Sequence, residues 1–332
     1  MKKFIIVLVC LFAIVLLIGL AFCLLINFDF SRISPAKFET NTFEVTEKFE
    51  AVDVNEKTGK INFLPSADGA VKVVCFESEK IKHTVTVEDG VLKIDVVDGR
   101  DWFDYFTMFL GAKAPEITVY LPSETYYALS VKGGTGNITV SSELKISDAE
   151  ISLSTGNVDY RASSYGGNMS TNGGNIKIKT STGGVRIADL KAKSIDVTVS
   201  TGSVTVSSAK CDNLTVNYGT GKTEISSVAC GSLYVKGSTG KLALKDTIAT
   251  LSFDISATTG SVTFDKCDAP EITVSVSTGN VSGTLLTPKV FTAKSNTGKV
   301  NVPDTTTGGI CNITASTGNI DIKIAGGMSS ED

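Results

Sequence analysis

The sequence is poor in histidine and proline, and it has no cluster of one charge. Its 332 residues include one histidine and seven prolines, with 31 basic and 35 acidic residues giving a net charge of −4. Neutralising phosphates needs clustered cations, so the missing basic block argues against a nucleic-acid partner. The sequence also has no C-x-x-C pair, which excludes a zinc site of the usual spacing. His83 lies outside the regular repeat described below and has no evident partner in the sequence.

Sequence signatures of catalysis are also missing. No G-x-S-x-G motif is present. The acidic residues do not recur on adjacent coils in one column of the repeat; they are Asp189, Asp246, Asp265, Asp268 and Glu271. The segment GTGKT at 219–223 resembles the end of a phosphate-binding loop, but Val216 stands where the first glycine of that motif is required. We therefore predict no enzyme, no cofactor and no metal.

The N-terminus carries a long apolar run. Residues 4–26 are 23 consecutive uncharged residues, and as a helix they would extend ~34 Å, enough to cross a bilayer. This predicts a cytoplasmic tip and transmembrane anchor over 1–26, with 27–48 as a stalk. Lys2 and Lys3 favour a cytoplasmic N-terminus, so the chain is expected to be a single-pass cell-membrane protein with its C-terminal domain outside the cytoplasm. The alternative is an unusual cleaved signal peptide.

Thr-Gly recurs along the chain in steps of 19 or 20 residues, with one step of 27. A fixed period of this length indicates a repeat architecture. The segment GTGKT falls on this repeat, so we interpret its glycine as a structural turn residue. The glycines of the repeat are Gly136, Gly156, Gly183, Gly202, Gly221, Gly240, Gly260, Gly279, Gly298 and Gly318.

Apolar residues alternate with polar ones on both sides of each Thr-Gly. In one repeat they are Ile195 and Val197 before the glycine and Val204 and Val206 after it. Such alternation predicts two half-buried strands per repeat. Threonine resists the positive φ that a two-residue hairpin needs at its first position. The sequence therefore favours an all-β fold, a single-stranded parallel β-solenoid of about ten 19–20-residue coils over 129–325. A meander of antiparallel hairpins is the alternative.

The segments outside the regular repeat are assigned separately. Residues 49–128 are expected to form irregular N-terminal coils or a cap, and 326–332 a disordered tail. The 27-residue step predicts a protruding loop between Val158 and Ile176. An insert at 101–112 has apolar residues at helical spacing. It is either a lid on the end of the rod or a contact patch for a membrane or partner. Its residues are Trp102, Phe103, Phe106, Phe109 and Leu110.

Two cysteines stand one coil apart. Cys211 and Cys230 each follow their glycine by nine residues. Stacked coils would set their Cα atoms ~5 Å apart, inside the range for a disulfide. They are either two packed thiols or a disulfide.

Several short motifs carry a family resemblance. They are F-x-x-V-D-V at 49–54, KTGKI at 57–61, DGVLKI at 89–94, ITVYLP at 117–122 and GTGNI at 134–138, followed by the Thr-Gly coils. In this order they resemble a bacterial domain-of-unknown-function family of β-strand-repeat proteins, often labelled "putative adhesin", over most of 43–325. The resemblance implies a β-solenoid that is often membrane-tethered, and it supplies no catalytic residues.

Together these features predict a membrane-anchored extracytoplasmic β-solenoid. We expect it to act as a non-catalytic scaffold, adhesin-like or binding module at the cell envelope. Its expected partners are the membrane, through residues 4–26, and an envelope protein or glycan. A regulatory or sensory subunit of an envelope-stress system is the alternative, and a carbohydrate-active β-helix enzyme is less favoured.

Overall fold

The computed structural model describes residues 37–100, 114–162 and 174–325, with eight further helical positions between residues 12 and 24. Within these ranges the chain forms 27 β-strands. They are β1 Phe38–Val45, β2 Ala51–Thr58, β3 Lys60–Pro65, β4 Val71–Ser78, β5 Ile81–Glu88, β6 Val91–Asp98, β7 Glu116–Leu121, β8 Thr125–Thr135, β9 Ile138–Val140, β10 Lys145–Thr155, β11 Val158–Tyr160, β12 Asn175–Thr182, β13 Val185–Ala188, β14 Ser194–Thr201, β15 Val204–Ser207, β16 Lys210–Thr220, β17 Thr223–Ser226, β18 Ala229–Thr239, β19 Leu242–Lys245, β20 Ile248–Thr259, β21 Val262–Cys267, β22 Glu271–Thr278, β23 Val281–Leu285, β24 Lys289–Thr297, β25 Val300–Asn301, β26 Gly309–Thr317 and β27 Ile320–Ile324.

Each regular coil contributes a longer strand before its Thr-Gly and a shorter strand after it. In β14 the residues Ile195, Val197 and Val199 are buried while those between them are not. In β15 the buried residues are Val204 and Val206. These side chains belong to one continuous core between the two sets of strands. The period-two alternation read from the sequence therefore places the apolar residues inward, as expected for half-buried strands.

The longer strands form one row and the shorter strands a second row. Neighbouring coils pair in parallel and in step, as in the column Val197, Val216 and Val235. The first row runs β5-β6-β2-β8-β10-β12-β14-β16-β18-β20-β22-β26-β24. The second runs β1-β4-β7-β3-β9-β11-β13-β15-β17-β19-β21-β23-β27-β25. The repeat is thus a parallel β-solenoid.

The coil order at the C-terminal end differs from the sequence order. Strand β22 pairs with β26, and β24 pairs with the other edge of β26. The last coil in the sequence therefore lies between the two coils before it. Strand β25 has only two residues, and its Val300 is exposed, whereas Ile320 and Ile322 of β27 are buried. The coil with the weaker second strand lies at the end of the rod, where it covers less core.

The N-terminal end contains antiparallel strands, which the prediction of a purely parallel solenoid did not include. Strand β4 pairs antiparallel with both β1 and β7, and β5 pairs antiparallel with β6. Residues 38–45, within the predicted stalk, form β1. The coil of β2 and β3 stacks between that of β6 and β7 and that of β8 and β9.

The predicted transmembrane helix requires a correction. Among the residues that the structure describes, no helix has both the length and the apolar character needed to cross a bilayer. Most of residues 4–26 lie outside the described residues. The aromatic insert at 101–112, the centre of the loop between Val158 and Ile176, and the tail at 326–332 also lie outside them.

Candidate functional site

Four polar side chains lie inside the core at the N-terminal end of the rod. They are Glu56 of β2, Cys75 and Glu77 of β4, and His83 of β5, and all four residues are buried. We call them the buried cluster. Strand alternation explains their position, because Cys75 and Glu77 occupy the same inward parity as buried Val73. Their strands bring together residues that are up to 27 positions apart in the sequence.

Glu56 occupies a column that is otherwise apolar or small in most coils. It is in register with Gly133, which is in register with Leu153 on the next coil. Further along the same column stands Val199. A carboxylate in such a position is costly unless it has charged or hydrogen-bonding partners. Glu56 is therefore expected to have such partners within the buried cluster.

The imidazole of His83 lies between two carboxylates. Its Nε2 is 2.7 Å from Oε2 of Glu56, and its Nδ1 is 2.7 Å from Oε2 of Glu77. The backbone N–H of His83 also donates to Oε2 of Glu77, at 2.8 Å. The backbone N–H of Thr58 donates to Oε1 of Glu56 at 2.8 Å, and Nδ2 of Asn41 donates to Oε1 of Glu77 at 2.6 Å. Both carboxylates are thus held by donors in addition to the ring.

The cluster is closed to solvent. The side chain of His83 is 0% exposed, and those of Glu56 and Glu77 are 2% exposed. Burial acts to lower the pKa of His83, but hydrogen bonds with Cys75, Glu56 and Glu77 outweigh it and raise the pKa to about 10. The two carboxylates at 2.7 Å favour the protonated form of the ring. Nζ of Lys82 lies 3.6 Å from Oε1 of Glu77 and adds a second positive charge at the edge.

The thiol of Cys75 completes the cluster. Its Sγ, a carboxylate oxygen of Glu77 and a ring nitrogen of His83 all lie within 4.8 Å of one another. This set can hold a proton or a metal cation. No partner for His83 is evident in the sequence, and the structure corrects that interpretation by placing Glu56, Cys75 and Glu77 around the ring. The available signal was Glu56 at the inward parity of Val52 and Val54.

The ten Thr-Gly glycines lie at one corner of the rod. Their φ angles lie between +133° and +154°. At Gly240 a Cβ atom would lie 1.8 Å from the carbonyl oxygen of Gly221. The corners also join neighbouring coils, because the N–H of Gly221 donates to the carbonyl of Thr239 at 3.0 Å. Glycine is required there by both backbone conformation and space.

The structure shows why GTGKT does not form a phosphate-binding loop. Gly221 takes the corner position, and Thr223 points into the core with 0% exposure. Thr223 is in register with Val204 and Leu242. Lys222 is exposed and pairs with Glu224. The threonine hydroxyl that would hold a magnesium ion in such a loop is enclosed among apolar residues.

Cys211 and Cys230 are register partners on adjacent coils. Both are buried free thiols in the structure. Burial raises the pKa of Cys211 to about 12, with further contributions from Cys230 and Asp212. Burial likewise raises the pKa of Cys230 to about 11. Pairing of the two sulfurs as a disulfide stays a prediction.

The contact patch predicted at Trp102, Phe103, Phe106, Phe109 and Leu110 lies outside the described residues.

The fold defines the class of protein as a β-solenoid of stacked two-strand coils with an antiparallel N-terminal end. The chain belongs to the family described as Toastrack DUF4097, whose model matches residues 49–226 and 203–330. This confirms the family resemblance read from the motifs. No curated protein matches the chain.

Solved structures similar to the chain include the following three. One, described as a "putative lipid binding protein" from Parabacteroides distasonis, has 13% identity and a TM-score of 0.48, and the match covers 86% of this chain and 97% of that one. A "putative adhesin" from Bacteroides fragilis has 15% identity and a TM-score of 0.43, with the same coverage of 86% and 97%. Another so described, from Parabacteroides merdae, has 15% identity and a TM-score of 0.44, covering 74% and 96%.

Proposed function

We propose that the chain is a non-catalytic, adhesin-like binding module at the cell envelope, and that it binds through the outer surface of the first row of strands. We call this surface the polar face. The observation that carries the proposal is a column of outward polar side chains in unbroken register over six coils. The column consists of Ser152, Lys179, Thr198, Asn217, Lys236 and Ser256.

Regular spacing suits the polar face to an extended polar partner. Neighbouring members of the column lie on adjacent strands, so the spacing between them is ~4.8 Å. Because each inner strand is hydrogen-bonded on both edges, the spacing is fixed before a partner arrives and little ordering entropy is lost on binding. The hydroxyl, amide and ammonium groups of the column are available to donate hydrogen bonds to a partner that lies along the rod. Envelope glycans and surface proteins present extended polar groups of the kind that such an array can engage.

Two variants on one coil test the binding surface. Thr198 lies on the polar face, and Thr205 lies on the outer surface of the second row, and both are half-buried. We expect wild type and Thr205→Glu to co-sediment with insoluble cell-wall polysaccharide or to bind intact cells, and Thr198→Glu to be retained less. Equal retention of the two variants, or no retention of wild type on either material, contradicts the proposal.

Location is tested separately. If the chain lies at the cell surface, we expect protease added to intact cells to digest the rod while a cytoplasmic marker survives. Digestion of the rod only after lysis contradicts a place at the cell surface.

A further inference from the structure

We propose that the buried cluster is a binding site for a zinc ion, with Sγ of Cys75, a carboxylate oxygen of Glu77 and Nδ1 of His83 as ligands. Sγ of Cys75, a carboxylate oxygen of Glu77 and a ring nitrogen of His83 lie within 4.8 Å of one another, and Nδ1 is the ring nitrogen beside Glu77, at 2.7 Å from its Oε2. A thiolate, an imidazole and a carboxylate are the ligand types that zinc accepts. Calcium and magnesium prefer oxygen ligands alone, so the sulfur and nitrogen select against them.

The three proposed ligands lie on hydrogen-bonded strands. Cys75 and Glu77 share the inward face of β4, and His83 lies on β5, which follows β4 directly in the chain. Strand β4 is paired along both edges, with β1 and with β7. A tetrahedral zinc ion with bonds of ~2.0–2.3 Å separates its ligand atoms by roughly 3.3–3.8 Å. Nδ1 of His83 and Oε2 of Glu77 are 2.7 Å apart, so zinc binding requires these two atoms to move apart.

Glu56 acts as the carboxylate behind the histidine ligand. Its Oε2 is 2.7 Å from Nε2, the ring nitrogen that faces away from the proposed ion. A histidine that binds a metal almost always donates its other ring N–H to such a group, which fixes the tautomer and the orientation of the ring. Glu56 is itself held by the backbone N–H of Thr58 at 2.8 Å. Glu56 is therefore a positioning residue and not a ligand.

Binding exchanges protons for the metal. The Cys75 thiol loses its proton to become a thiolate, and the proton shared between Nδ1 of His83 and Glu77 is also displaced. Both protons leave to solvent while the metal–sulfur, metal–nitrogen and metal–oxygen bonds form. No electrons are transferred, because zinc has no redox chemistry.

Cobalt(II) is the spectroscopic probe for this site. The full chain is freed of metal with a chelator and titrated with Co²⁺. We expect saturable binding with the near-ultraviolet absorption of a thiolate–cobalt bond, and loss of that absorption when Zn²⁺ is added. Cys75→Ser should abolish the absorption. Cys311→Ser removes a different buried thiol, at the other end of the rod, and should leave it unchanged. No thiolate absorption in wild type, or full absorption in Cys75→Ser, overturns the proposal.

Glu56→Gln separates a metal site from a cluster that serves only folding. We expect the cobalt–thiolate absorption to persist in this variant with affinity lower by ~10–100-fold. An unchanged affinity overturns the positioning role. If Cys75→Ser does not fold, wild type alone decides: Zn²⁺ should slow alkylation of Cys75, mapped by mass spectrometry, and leave Cys311 unaffected. Equal rates of Cys75 alkylation with and without Zn²⁺ overturn the proposal.

Discussion

A Cβ atom built on Gly221 would lie 1.9 Å from the carbonyl oxygen of Gly202 on the preceding coil. Gly221 also has a φ of +145°. We expect Gly221→Ala to lower the free energy of unfolding by more than the ~1–2 kcal/mol of left-handed strain alone, because the contact with backbone adds to it. Urea denaturation of wild type and variant measures the difference.

Gly69 is the control for this substitution. It has a φ of +75°, and a Cβ built there meets no atom within 4 Å. Gly69→Ala therefore introduces backbone strain without a clash, and its cost should be the smaller of the two. Equal losses at both positions show that the close approach between coils does not limit residue choice at the corner.

Thr223 gives a prediction of opposite sign. Its side chain is buried in register with Val204 and Leu242, and its hydroxyl oxygen has no hydrogen-bond partner among the described residues. An unsatisfied buried polar group costs ~1–3 kcal/mol. Thr223→Val keeps the shape and removes the hydroxyl, so we expect it to stabilise the protein by an amount in that range, measured as a higher urea midpoint. Thr205→Val, on the outer surface, should change stability little, and a stabilisation as large there refutes the explanation.

We expect the folded protein to lose stability at alkaline pH because of the buried thiols of Cys211 and Cys230. Their thiol pKa values are raised to about 12 and about 11 in the folded state, above the ~8.5 of a free cysteine. The folded state therefore keeps protons that the unfolded chain loses. This stabilisation is complete below about pH 8.5 and falls as pH rises toward the folded values. The urea midpoint of wild type should drop from pH 8 to pH 10.5 by more than that of the Cys211→Ala/Cys230→Ala variant. Equal drops are the result expected if a disulfide joins the two sulfurs.

The local parts of the fold were accessible from the sequence, and the long-range choices were not. The alternation of apolar and polar residues around Val197 and Val204 predicts which side chains face inward, because the inward face of a strand depends only on a period of two residues. The partners of His83 depend on three strands meeting in space, and no local pattern encodes that meeting. A second corner has left-handed positions filled by non-glycine residues such as Ser208 and Ser227, so no glycine spacing predicts it.

The order of the coils is not predictable from the sequence, for a different reason. Every Thr-Gly unit presents the same backbone ladder to its neighbours, so the period alone does not say which coil follows which. Gly318 packs against the carbonyl oxygen of Gly279, and Gly298 packs against that of Gly318. The Thr-Gly corner therefore accepts a neighbour from the next coil or from the one after it. The burial of apolar residues in β26 and β27 distinguishes the two orders.

Engineered cysteine pairs test this order directly. Ser275 of β22 is in register with Thr314 of β26, and Lys294 of β24 is in register with Thr314 from the other side. All three are exposed. Adjacent strands lie ~4.8 Å apart, within the ~4.4–6.8 Å between Cα atoms that a disulfide spans. Oxidation should therefore link the pair Ser275→Cys/Thr314→Cys.

The pair Ser275→Cys/Lys294→Cys is the matched control. One strand separates these positions, so their Cα atoms lie ~9–10 Å apart, too far for a disulfide. Coils stacked in sequence order would make Ser275 and Lys294 direct neighbours and would reverse the two outcomes. Peptide mapping of the oxidised proteins identifies the linked pair. A disulfide between residues 275 and 294, with none between 275 and 314, contradicts the order found in the structure.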